Sequence, residues 1–117
     1  MPQILQGSII RATVTDTRGQ NPKTRPLVVV TGNAELSQTD SILCVAVTGE
    51  FDNPLLPNEI LLPWHPRGKC RTRLKKKSVA KCSWVCEIRH SDVLEIKGHC
   101  PPAELELILE QIGKLPP

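Results

Sequence analysis

An arginine and a threonine, Arg25 and Thr48, each stand at one end of an apolar run. Arg25 precedes Pro26-Leu27-Val28-Val29-Val30-Thr31, where a polar loop enters a strand-like segment. Thr48 ends Cys44-Val45-Ala46-Val47, where a second such segment leaves the core. If the two runs are neighbouring strands, a guanidinium and a hydroxyl meet at one rim of a small β-structure. A guanidinium is a planar fork of donors matched to phosphate. A hydroxyl adds one further donor. Together they would bind and polarise a phosphate. Taken singly, Arg25 reads equally as an ion-pair partner at a loop end. Thr48 reads as a β-branched residue closing a strand.

The elements that must hold this pair follow from periodicity. Gly7 to Thr15 is rich in β-branched residues and predicts a first strand. Asp16 to Thr24, with Gly19, Asn21 and Pro22, predicts a loop. Proline suits the start of a strand and not its middle, so the next strand is expected from Pro26 through Thr31. Its unbroken apolar character predicts burial on both faces. Gly32 to Ser41 reads as a polar turn, and Ser41 to Thr48 as the third strand. Gly49 to Asn58 carries Pro54 and Pro57 and predicts a loop. Glu59 to Leu62 is a short strand closed by Pro63, followed by a turn through Gly68. Arg71 to Leu74 is expected as a short edge strand guarded by charge, and Trp84 to Ile88 as the last strand. Leu105, Ile108, Leu109 and Ile112 then lie at i, i+3, i+4 and i+7, one stripe of a helix. Pro101 or Pro102 suits its first turn, Gly113 its cap, and Pro116 and Pro117 its stop. The sum is mainly β: about six short strands forming a small twisted barrel, with one C-terminal helix.

With 117 residues, 39% hydrophobic and 23% charged, the chain is expected to fold as one domain over 1–117. No apolar run approaches the ~20 residues of a membrane span. The N-terminus lacks a basic flank and an apolar stretch, so no signal peptide is read and a cytoplasmic location is expected. Five cysteines, an odd number without a Cys-x-x-Cys pair, do not resemble a secreted disulfide framework. Net charge is +3, but residues 60–86 carry eight bases and no acid, which leaves the rest at −5. These are Arg67, Lys69, Arg71, Arg73, Lys75, Lys76, Lys77 and Lys81. Such a local field steers a polyanion, and an uninterrupted stretch without acids points to a nucleic-acid surface.

Five features occur in order: Gly7-Ser8-Ile9-Ile10, Arg25-Pro26 before an apolar strand, a strand ending in Thr48, Leu74-Lys75-Lys76-Lys77-Ser78-Val79, and Gly98 before a short amphipathic helix. This ordered set, spanning roughly residues 6–113, resembles the MazF/PemK toxins of bacterial toxin–antitoxin pairs. The resemblance implies an SH3-like barrel with a C-terminal helix and a homodimer. It implies an endoribonuclease that cuts single-stranded RNA, commonly mRNA, without a metal or other cofactor. It also implies a cognate antitoxin that blocks the RNA groove. Residues matching Arg25 and Thr48 would carry the chemistry. RNA supplies its own nucleophile, the 2′-OH, so a protein need only align it and stabilise the phosphorane oxygens. Arg25 would clamp that charge and Thr48 would position the phosphate. Arginine is too weak an acid to serve as an ordinary base.

Lys23 and the basic stretch (Arg67, Lys69, Arg71, Arg73, Lys75, Lys76, Lys77) are candidate RNA contacts, with Trp64 as a stacking residue and His65 beside it. Trp64 reads equally as a loop anchor. Family members often have an acid where this chain has Ser8, and another where it has Gln20 and Asn21. Those departures bear on rate and specificity. Cys82, Cys86, His99 and Cys100 do not give the two closely spaced pairs of a structural zinc site, so no metal is expected. A catalytically silent nucleic-acid-binding or partner-binding module on the same barrel is the alternative.

Overall fold

The computed structural model describes residues 3–115. Its six strands are β1 (Ser8–Val14), β2 (Lys23–Val29), β3 (Ser41–Thr48), β4 (Glu59–Leu62), β5 (Ser78–Arg89) and β6 (Glu95–His99). They form one sheet in the order β4-β5-β3-β2-β1-β6, antiparallel throughout. A short helix α1 (Asn33–Leu36) lies between β2 and β3, and helix α2 (Pro102–Gly113) follows β6. The expected mainly β architecture, a small twisted barrel with a C-terminal helix, is observed as a six-stranded curled antiparallel sheet, a half-barrel, with that helix.

Both faces of the sheet are buried, which is why the central strands read as unbroken apolar runs. One face presents Ile9, Val28, Val45, Val47, Ala80 and Cys82 to Leu105, Ile108, Leu109 and Ile112 of α2. This is the predicted helical stripe. The other face gathers Ile10, Ala12, Leu27, Val29, Cys44 and Ala46 with Ile88 of the adjacent β5, and half-buried Trp84 and Cys86 pack beside them.

The curl is completed by the chain between β4 and β5. Its Arg71 carbonyl accepts a 2.8 Å bond from the His99 N–H of β6. At Gly98 a Cβ would lie 2.5 Å from that same carbonyl oxygen, so only glycine allows this approach. Buried Thr72 holds the segment together: its hydroxyl donates to the Pro63 carbonyl at 2.6 Å and accepts from the Leu74 N–H at 3.2 Å.

Several expectations need correction. Arg71 to Leu74 is a turn, not a strand. Arg73 has φ 61°, in the left-handed region, and its N–H bonds to Cys70 close by. The alternation that suggested a strand is real, since Thr72 and Leu74 are buried between exposed arginines, but a turn produces it. The sixth strand is instead β6, whose sequence EIKGH has no apolar signature. Pro26 lies inside β2, opposite Arg11 and just outside the ladder to β3, which starts at Leu27. A missing N–H interrupts nothing in that ladder. β5 is far longer than Trp84 to Ile88. The turn after β2 contains α1. Gly113 is the last helical residue and Lys114 caps it; Pro116 and Pro117 lie outside the described residues.

Candidate phosphate site

Arg25 is a strand residue, opposite Ala12 of β1. On the other side β2 pairs with β3 through Leu27↔Ala46. Arg25 lies two residues before Leu27, and Thr48 two residues beyond Ala46. Both therefore stand at the same end of the β2–β3 pair. By the period of two, both belong to the face of Leu27 and Ala46.

The Arg25 guanidinium is half-buried, with its carbon 4.5 Å from the centroid of the Trp84 ring, a cation–π stack. Its Nε is shielded from solvent and meets no acceptor among the described residues. Cys86 lies within the field of this cation. Burial raises the Cys86 thiol above its ordinary pKa while Arg25 pulls the other way. Thr48 is buried, and its Oγ1 accepts a 3.0 Å bond from the Glu50 N–H. Its own hydroxyl proton stays available as a donor.

Part of the basic stretch adjoins Thr48. A Cβ added at Gly49 would lie 3.6 Å from Lys76 Cε and 3.8 Å from its Nζ. Lys77 Nζ stands 5.8 Å from the Phe51 ring centroid. Lys81 pairs with Ala46, on the site's face. The loop after Thr48 is fixed from below by buried Glu59. That carboxylate accepts from Leu56 N–H at 2.8 Å and Asp52 N–H at 3.3 Å. The Leu56 bond, with Asp52 and Lys81 adding to it, holds the Glu59 carboxyl below the usual carboxylate range against the effect of burial.

Lys23 opens β2 opposite Val14, exposed and at the Arg25 end. Arg67, Lys69, Arg71, Arg73 and Lys75 belong to the chain between β4 and β5 that closes the curl. Arg71 is bonded to β6, and the Lys75 carbon chain would meet a Cβ at Gly68 at 3.6 Å. His65 shapes that turn: its N–H donates to the Leu74 carbonyl, and its Nδ1 accepts from the Arg67 N–H. Neighbouring Trp64 is 43% exposed, so its ring is open to solvent. Cys82 and Cys86 lie on opposite faces of the sheet. Among the described residues no three His, Cys, Asp or Glu side chains are grouped to hold a metal.

The positions where family acids were expected have other tasks. Ser8 is buried and its Oγ accepts from the Leu5 N–H at 2.9 Å. Asn21 adopts φ 53°, and its side chain donates to Asp16. Asp16 also accepts from the Arg18 and Gln20 N–H groups; the Gln20 bond, followed by Asn21, lowers its carboxyl pKa. This acid organises its loop. Trp84 is the neighbour that sequence reasoning missed. The only signal in the sequence was that tryptophan is scarce, in a chain with two Trp, one Phe and no Tyr, and that this one falls in a strand-like segment.

A small curled antiparallel sheet backed by one helix, with an arginine and a threonine at the same end of its β2–β3 pair, defines the class. A family model for PemK-like, MazF-like toxins of type II toxin–antitoxin systems matches residues 5–115, and the chain belongs to that family. Among solved structures, MazF from Deinococcus radiodurans superposes with a TM-score of 0.75 at 18% identity, covering 97% of this chain and 96% of that one. An endoribonuclease solved with its cognate antitoxin, from a mycobacterial species, gives 0.70 at 16% identity over 97% and 98% of the two chains. The Mycobacterium tuberculosis toxin MazF-mt6 gives 0.68 at 18% identity over 91% and 92%. At such identities the likeness is one of fold. No curated protein matches in sequence.

Proposed function

We propose that this protein is a metal-independent endoribonuclease that cleaves single-stranded RNA, acting as the toxin of a type II pair. Endoribonuclease activity is the known function of its family. The observation that carries the reading is the Arg25 guanidinium. It is held by a ring face, with a buried N–H that meets no acceptor among the described residues, at the same strand-pair end as Thr48. A buried donor left without a partner costs about 1–3 kcal/mol, which a phosphate oxygen would relieve.

In this reading Arg25 donates to the non-bridging phosphate oxygens and Thr48 adds a hydroxyl donor. The 2′-hydroxyl gives up its proton to solvent and attacks phosphorus, while the bond to the 5′-oxygen breaks and that oxygen takes up a proton from solvent. The products are a 2′,3′-cyclic phosphate and a 5′-hydroxyl. Negative charge gathers on the non-bridging oxygens in the transition state, where fixed donors act most strongly. Lys76 and Lys77, beside the loop after Thr48, would hold the flanking backbone. A cognate antitoxin and a homodimeric assembly belong to the same proposal.

The test is cleavage of a single-stranded RNA by purified protein in EDTA, with analysis of the product ends. Arg25→Ala is expected to lower the rate by ~10²–10³ while the fold is kept, the usual cost of removing a charge-stabilising donor. Thr48→Val, which keeps the β-branched shape, should cost less, on the order of tenfold for one neutral donor. Equal cleavage by Arg25→Ala would remove the clamp. RNA binding without cleavage by the unaltered protein would establish the silent binding module instead.

A further inference from the structure

Arg25 has a partner that the reaction itself does not require. We infer that Trp84 is a positioning residue, holding the Arg25 guanidinium flat and leaving its donors free for RNA. This rests on the reading that Arg25 meets the scissile phosphate.

The backbone shows how the ring reaches that place. In a regular strand Cys82 and Trp84 would share one face. Cys82 does lie in the core under α2, yet Trp84 lies on the opposite face. The reversal comes from a bulge in β5. Lys81 pairs with Ala46 and Val85 with Val45, so residues 82–84 have no partner on β3. A bulge re-aims side chains, and this one turns Trp84 towards Arg25.

The choice of a ring over an acid also matters. A carboxylate would fix the guanidinium through its N–H groups and would consume the donors a phosphate needs. Neither ion pair among the described residues involves Arg25. An indole face holds the plane by its quadrupole and takes no N–H at all. It also excludes water from one side of the cation, which strengthens attraction for the charge that develops on the other. The stack therefore aligns the fork before substrate arrives, and its loss should appear in the chemical step more than in binding.

Two variants separate these effects. Trp84→Phe keeps a π-face, whereas Trp84→Leu keeps apolar bulk only. Cleavage is measured as kcat under saturating RNA, and binding with an RNA carrying a 2′-deoxy nucleotide at the cut site. Trp84→Leu is expected to lower kcat by ~10–100-fold with affinity changed less than about threefold, and Trp84→Phe to recover most of the rate. A readout free of catalysis is the Nε–H resonance of Arg25, assigned by its disappearance in Arg25→Lys. It should be shifted upfield by the ring current in the unaltered protein and in Trp84→Phe, and return to the ordinary range in Trp84→Leu. If the unaltered protein cleaves RNA with no such shift, or Trp84→Leu cleaves at full rate, the inference is overturned and the nuclease reading stands. If the shift is present but the unaltered protein cleaves nothing, the nuclease reading falls and takes the inference with it.

Discussion

The two faces of the sheet are equally dry at their centres but differ in what covers them. Under α2, the apolar stripe of a helix seals Val28, Val45 and Val47. Across the sheet Cys44 and Ile42 are flanked by their register partners Cys86 and Ile88 of β5, and the cluster packs against Leu36 of α1, half-buried Trp84 and the chain segments carrying Ile4, Val93 and Ile96. A helix seals with a continuous surface. Separate side chains seal less evenly, and the half-buried guanidinium of Arg25 lies at this face. The lesson is a division of labour: one face supplies stability, while the other gives up some apolar cover where the proposed site lies.

The largest way to break that contrast is Ile108→Ala, at a fully buried position of α2. It should lower unfolding stability by ~2–5 kcal/mol, read by denaturant titration. The folded fraction should keep its rate of RNA cleavage. A comparable loss of rate per folded molecule would show that the helix-covered face also sets the site. Gly98→Ala acts at the closure of the curl, where the new methyl would press on the Arg71 carbonyl. It should cost ~1–3 kcal/mol, since backbone must move to make room.

The smallest effect sharpens the comparison from inside. Cys44 on one face and Cys100 on the other are both pushed up to about 12 from 9.0 by burial. Below pH 9 these thiols are neutral in folded and unfolded chains alike. Above it the unfolded thiols ionise and the folded ones do not, so stability falls as pH rises from about 9 towards 12. At pH 10 each should account for ~1 kcal/mol. Cys44→Ala and Cys100→Ala should each flatten the alkaline limb of a stability–pH profile by the same amount. Flattening by Cys100→Ala alone would mean that the face carrying Arg25 is wet at its centre.

Sequence patterning was informative where one period ran undisturbed. The stripe Leu105, Ile108, Leu109 and Ile112 pointed to a helix, and the apolar run from Leu27 pointed to a strand buried on both sides, expected through Thr31 and observed to end at Val29. It misled where a turn imitated a strand, as at Arg71 to Leu74, whose alternation arises from Thr72 bonding back to Pro63. It was silent at Glu95–His99, where pairing to β1 creates a strand that composition does not announce. For the candidate site, the place of Thr48 at the end of β3 was legible from residue type, whereas Arg25, expected where a loop enters a strand, lies within β2. Their common face was not legible, because it depends on the register Leu27↔Ala46. The arrival of Trp84 was hidden for a related reason: it depends on a backbone departure, the β5 bulge.

The contact between Gly98 and the Arg71 carbonyl has one more consequence. A sheet that ends in an open strand invites another chain to add itself. Here the outer margin of β6 is already occupied by the molecule's own backbone, through the His99 bond. The opposite margin, β4, is four residues long. A protein with both borders shut or cut short resists growing into fibres, and an exposed basic surface can then meet a polyanion without recruiting copies of itself edge to edge.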